Sequence, residues 1–126
     1  MRGLLLFAHG ARDERWAQPF NAVAARLHEL DPSTPVALGF LEFMSPDLPT
    51  AGSSLVALGC SDIDIVPLFL GSGGHVRKDV PALLSLLQSR HPHLRLQLRT
   101  AIGERPEVIE AMARAALPVD SRARRK

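Results

Sequence analysis

The chain has very little cysteine. Cys60 is the single one in 126 residues, which excludes an internal disulfide and any cysteine-ligated cluster within one chain, and fits a reducing compartment. Long hydrophobic runs are missing too. The first strand-like segment, residues 3–8 (GLLLFA), follows Met1 and Arg2 directly and is far shorter than a signal-peptide core or a membrane span. A cytoplasmic protein without membrane attachment is expected. A net basic excess is lacking outside one place: Arg122, Arg124, Arg125 and Lys126 supply four positive charges at the C-terminus, and removing them from the net +2 leaves a body of −2. A solvated tail, rather than a nucleic-acid arm, accounts for that charge. The glycine-rich segment 71–74 has neither the lysine of a phosphate-binding loop nor the spacing of a dinucleotide fingerprint, so no organic cofactor is expected.

What the chain does contain is organised around residues 62–87, DIDIVPLFLGSGGHVRKDVPALLSLL. Ile63, Ile65, Val66, Leu68, Phe69 and Leu70 form a nearly continuous apolar run, the mark of a strand buried on both faces of a parallel sheet. Gly71, Ser72, Gly73 and Gly74 then form a loop with His75 at its far end. Asp79 has the place of a helix N-cap, with Pro81 in the first turn and Val80, Leu83, Leu84 and Leu87 on one face. A similar arrangement opens the chain, where His9 and Gly10 follow residues 3–8 at once.

Taken in order, residues 11–16 read as a loop, and Phe20, Val23, Ala24, Leu27 and Leu30 mark one face of a helix that ends at Asp31 and Pro32. His28 falls off that stripe and is a surface residue. Residues 36–43 (VALGFLEF) are a second strand with Glu42 near its end. Ser45, Pro46 and Asp47 are a helix start, and the helix over 48–58 is weakened by Gly52 and stopped by Gly59. Cys60 is a small buried residue at the following join. After the central strand and helix come His91 and His93 in a connection, then a fourth strand over 94–98 (LRLQL). Arg95, Gln97 and Arg99 on its alternate face suggest a wetter side at the sheet edge. Val108, Ile109, Met112 and Ala116 give the last helix a buried face.

The order βαβαβαβα predicts a single α/β domain over residues 1–118 with a four-stranded parallel sheet, followed by a basic, disordered tail over 119–126. In a 2-1-3-4 strand order the chain reverses direction between strands 1 and 3, and such a reversal opens a crevice at the carboxyl ends of the strands. His9 and His75 would face that crevice, with Glu42 from strand 2 beside them. Two imidazoles and a carboxylate suit a borderline divalent ion such as Co²⁺, Fe²⁺, Ni²⁺ or Zn²⁺. The plainer alternatives are two loop histidines bonded to backbone and an ordinary ion pair of Glu42 with Arg12 or Arg77. His91 and His93 belong to the opposite edge of the sheet, where a structural role is expected.

Residues 8–12 (AHGAR), the 40–43 strand end (FLEF) and above all 66–70 (VPLFL), followed by Gly74-His75 and Asp79-Val80-Pro81, resemble the class II tetrapyrrole chelatases, of the short sirohydrochlorin cobaltochelatase type. The resemblance runs to about Ala116. Ala11 stands where many members have serine, and the histidine-rich tract and cluster cysteines of some members are absent. The resemblance implies insertion of Co²⁺ into sirohydrochlorin on the route to cobalamin, with His9 and His75 as the metal-handling pair, and a homodimer in which two copies stand for the halves of longer chelatases. Insertion of Fe²⁺ toward siroheme, or of Ni²⁺ toward another cofactor, is the alternative within the family. The inner pyrrole protons must leave as the metal enters, which calls for a base among His9, His75 and Glu42. The many carboxylates of sirohydrochlorin would meet Arg12, Arg77, Lys78 and the backbone of Ser72, Gly73 and Gly74.

Two rivals stand beside this reading. A histidine phosphatase would use His9 as nucleophile, but Ala8 precedes it where arginine is the usual neighbour. A carrier that binds tetrapyrrole or metal and hands it on needs the same cleft and ligands, and multiple turnover separates it from a chelatase.

Overall fold

The computed structural model describes residues 1–71 and 73–119, with the side chains of all of these except 74–77. Four strands, β1 (Arg2–Ala8), β2 (Val36–Phe40), β3 (Asp62–Pro67) and β4 (Arg95–Leu98), alternate with α1 (Gln18–Leu30), α2 (Leu48–Ala57), α3 (Gly74–Arg90) and α4 (Pro106–Ala116). All three strand pairings are parallel and the order is β2-β1-β3-β4, the expected 2-1-3-4. Central β1 pairs with both neighbours, Leu5 lying opposite Ala37 on one side and Ile65 on the other.

The apolar run of β3 is buried on both faces, as its composition predicts. Ile63 and Ile65 join Leu5, Phe7, Leu48, Leu55 and Leu87 in the main core, under α2 and α3. Residues that alternate with these face the other way. There Asp64, only 4% exposed, takes hydrogen bonds from both Arg2 and Arg99, so the buried carboxylate is charge-paired on two sides. Asp62 pairs with Arg95 through Nε–Oδ1 at 2.6 Å and Nη2–Oδ2 at 3.0 Å. The wetter face anticipated for the edge strand β4 is this ladder of ion pairs.

Several boundaries differ from the sequence expectation. β2 stops at Phe40 rather than 43, because the chain bends through residues 41–46 before Asp47 caps α2 by accepting from the Thr50 N–H at 2.9 Å. The cap is thus Asp47, not Ser45, and the proline in the first turn is Pro49. β3 ends at Pro67, and Leu70 lies 74% exposed outside the core. Helix α3 starts at Gly74 on an extended Gly73, so Asp79 is not its cap and Pro81 sits inside it at the cost of one backbone hydrogen bond. Before α1 a short 3-10 turn, Glu14–Ala17, is pinned by Trp16, whose ring lies tilted against Phe20 with centroids 4.5 Å apart.

The largest difference concerns α4. Its apolar stripe, expected to be buried, contains no buried residue; Ile109 is 51% exposed and Met112 also faces solvent. The period of the pattern is correct, but among the described residues only Val108 of that stripe is half-buried and none is fully covered. Helix α1 likewise buries nothing completely, although Phe20, Ala24 and Leu27 are half-buried. His28 is exposed and Cys60 is buried at its join, as read from sequence. Gly59, at φ 103°, ends the turn after α2. Of the predicted tail, residues 120–126 lie outside the described residues.

Candidate functional site

The reversal of chain direction falls between β1 and β3, and both strands run out at the same edge of the sheet. His9 is the first residue beyond β1. Beyond β2 the chain folds back over it: the Leu41 N–H donates to the Ala8 carbonyl at 3.0 Å and the Glu42 N–H to the His9 carbonyl at 3.1 Å. These bonds prolong the β1–β2 pairing after the strands have ended. Gly10 makes the fit possible. At φ 97° it lies against the Glu42 carbonyl so closely that an added Cβ would sit 1.9 Å from that oxygen.

This backbone clasp fixes the side chains. The His9 Nε2 lies 3.5 Å from the Glu42 Oε2, and both side chains are somewhat more than a third exposed. The distance suits an ion pair when the imidazole is protonated. It also leaves room for a small cation between a neutral imidazole and the carboxylate. Glu42 was expected at a strand end; it occupies the bend past β2, which turns it toward β1 rather than outward along the sheet. Among the described residues it pairs with His9 rather than with Arg12, and the side chain of Arg77, the other partner considered, lies outside the described residues.

Arg12 lies three residues after His9, with its guanidinium carbon 4.5 Å from the centroid of the Phe43 ring. Phe43 itself has φ 67° and is 56% exposed. Neither feature was foreseen in the sequence, and the only signal there was a second aromatic placed directly after Glu42. Asp79, read as a helix cap, lines a cavity of about 270 Å³ together with Glu42, Leu41, Ala82 and Leu83. A larger cavity of about 500 Å³ opens on the other side of the clasp and is lined by Arg12, Phe43, Met44 and Pro46 among others.

From the third strand, Gly73 forms the extended N-cap of α3 and Gly74 its first residue. His75 therefore stands in the first helical turn instead of at the end of a loop, and Arg77 and Lys78 follow in the same helix. Lys78 is exposed. Ser72 and the side chains of His75 and Arg77 lie outside the described residues. At the opposite edge, His91 is the C-cap of α3 and its Nε2 is 2.8 Å from the Ser53 Oγ, a helix-to-helix bond that fits the structural role expected of it.

With this geometry in view, the likeness to known proteins is informative. The CbiX family model matches residues 3–117. A sirohydrochlorin cobaltochelatase from Saccharolobus solfataricus is 38% identical over 86 residues, 68% of this chain and 66% of that protein. Another from Methanococcus aeolicus is 33% identical over 88 residues, 70% of this chain and 62% of that one. The chain thus spans less than two thirds of the length of each of these two relatives. Among solved structures, a CbiX protein from Marinobacter aquaeolei superposes with a TM-score of 0.80 at 30% identity, covering 91% of this chain and 93% of its own. The sirohydrochlorin chelatase SirB from Bacillus subtilis, in complex with cobalt, gives a TM-score of 0.75 at 28% identity, covering 90% of this chain and 48% of SirB.

Proposed function

The chain belongs to the CbiX family, and on that premise we propose that it is a sirohydrochlorin chelatase inserting a divalent metal, Co²⁺ before Fe²⁺ or Ni²⁺, into the tetrapyrrole on a route to cobalamin. The observation that carries this reading is the His9–Glu42 pair, clasped at the chain-reversal edge of the sheet with Nε2 and Oε2 3.5 Å apart.

Metal insertion exchanges M²⁺ for the two inner pyrrole protons of the macrocycle. His9, neutral, offers Nε2 either to the incoming ion or to a departing proton, and Glu42 balances the cation or passes a proton toward the cavity it shares with Asp79. His75, in the first turn of α3 across the crevice, is our second metal-handling and catalytic residue. For the carboxylates of the substrate we assign Arg12, Arg77, Lys78 and the backbone of Ser72, Gly73 and Gly74. Residues 1–118 form the chelatase-like domain and 119–126 the basic tail. Two copies form a homodimer. The 48% coverage of SirB and the uncovered apolar positions of α4 support that assembly. We place the protein in the cytoplasm, where a lone buried Cys60 stays reduced, with no nucleic acid or membrane as partner.

The test follows the visible absorption of sirohydrochlorin with Co²⁺ in the presence of catalytic amounts of wild type, His9→Ala, Glu42→Gln and His75→Ala. Acceleration over many turnovers that is lost in the variants is the expected result. A wild type that accelerates none of Co²⁺, Fe²⁺ and Ni²⁺ over the protein-free rate refutes it, and product limited to one equivalent of protein marks a carrier.

A further inference from the structure

Phe43 combines two features that stability alone does not account for. Among the described residues it is the one non-glycine position with positive φ, at 67°, a region where a bulky side chain is a true outlier. Its ring is not buried in return, since the residue is 56% exposed. A strained backbone that holds a large apolar ring in water has to be explained by what the ring meets. That is the Arg12 guanidinium, 4.5 Å above it. Both residues are tied into the site, because Phe43 follows Glu42, Arg12 follows His9 and Gly10, and the two turns are joined by the Glu42 N–H bond to the His9 carbonyl.

We propose that Phe43 is a positioning residue for substrate: it holds the Arg12 guanidinium as a preorganised fork for one peripheral carboxylate of the tetrapyrrole. The inference rests on the chelatase reading for the identity of the ligand, yet it concerns binding and not metallation. The chemistry follows from the shape of the cation. A guanidinium held over a ring face is restrained in position while its N–H donors, lying in its own plane, stay free to meet a carboxylate through two parallel hydrogen bonds. A long arginine side chain left in solvent would have to be immobilised on binding, at a cost in affinity that the stack removes beforehand. The cavity lined by both residues gives the substituent chain room.

The decisive experiment is a fluorescence titration of metal-free sirohydrochlorin into wild type, Arg12→Ala, Phe43→Leu, Phe43→Trp and the Arg12→Ala/Phe43→Leu double variant, each first verified as folded by circular dichroism. Phe43→Leu keeps an apolar side chain at an exposed position and removes only the ring. It is expected to raise Kd about fourfold, and Phe43→Trp to stay within about twofold of wild type. Arg12→Ala is expected to raise Kd about tenfold, with the double variant no weaker than Arg12→Ala alone. Under turnover Phe43→Leu should raise KM at unchanged kcat. Unchanged binding by Phe43→Leu, or effects that multiply in the double variant, would overturn the inference. Because the titration contains no metal, a wild type that binds with this variant pattern but never metallates refutes the chelatase reading and leaves the role of Phe43 standing.

Discussion

Gly10→Ala is the most exacting perturbation of the site, since it adds one methyl group where the backbone clasp is tightest. At φ 97° an alanine is strained by about 1–2 kcal/mol before it touches anything. Its Cβ would stand 1.9 Å from the Glu42 carbonyl oxygen and 3.0 Å from the carbonyl carbon. Those are backbone atoms, so no side-chain rotation relieves the overlap. Relief requires residues 41–43 to move off β1, which breaks the Leu41 N–H bond to Ala8 and the Glu42 N–H bond to His9, worth about 1 kcal/mol each. The sum is a destabilisation of about 3–4 kcal/mol, or roughly 10–15 °C in Tm for a domain of this size. Urea unfolding followed by circular dichroism measures the first figure. Metallation assayed at 15 °C, where the variant remains folded, should fall more than about tenfold, because Glu42 no longer faces His9. A variant within about 0.5 kcal/mol of wild type and equally active would refute the claim that this contact builds the site.

Three further outcomes follow from other parts of the molecule. The Asp62 carboxyl is held down to about 2, chiefly by its hydrogen bonds from Arg95; a lowered carboxyl stabilises fully above its unfolded value and less as pH falls toward the folded one. The difference in urea midpoint between wild type and Arg95→Gln should therefore narrow between pH about 4 and pH about 2, and an equal gap at pH 6 and pH 2 would contradict the pairing. Cys60 is buried, and burial pushes its thiol up, so labelling by a thiol reagent at pH 8 should be about a hundredfold slower in the folded protein than in urea; rapid stoichiometric labelling without denaturant would disprove that placement. Gly52→Ala improves helix propensity by about 1 kcal/mol, yet its Cβ would meet the fully buried Leu87 Cδ2 at 2.5 Å, and overpacking of this kind costs about 1–3 kcal/mol. A net loss in urea unfolding is expected, and the Gly52→Ala/Leu87→Ala double variant should cost less than the two singles together, an additive result arguing against the contact.

The sheet was legible because its signals are local and repeated. The apolar runs of β1 and β3 and the alternation of β4 each need only a few consecutive residues to declare themselves, and short connections leave few topologies to choose among. The errors arose where a second signal of the same kind competed. Asp79-Val80-Pro81 has the composition of a helix start, but α3 had already begun at Gly74, behind an extended Gly73 cap that leaves no side-chain mark. Ser45 and Asp47 are both good caps, and only the Asp47 carboxylate reaches the Thr50 N–H. The stripe of α4 has the right period, and periodicity states that a face is apolar without stating what covers it.

The candidate site was legible to a different depth. That His9 and Glu42 belong to one edge follows from strand order, since both stand just beyond the carboxyl end of adjacent parallel strands. That they lie 3.5 Å apart does not. Adjacent strands run side by side and their exits are free to splay; here the exits close on each other because Gly10 lets the backbone of residue 42 come within contact distance. The same closure bends the chain at Phe43 into a left-handed conformation and carries its ring under Arg12. One glycine thus couples the His9–Glu42 pair to Arg12, so a change at residue 10 should disturb both, whereas Phe43→Leu should disturb only the second. On the proposed reading, substrate binding can therefore be altered at Phe43 without touching the His9–Glu42 pair.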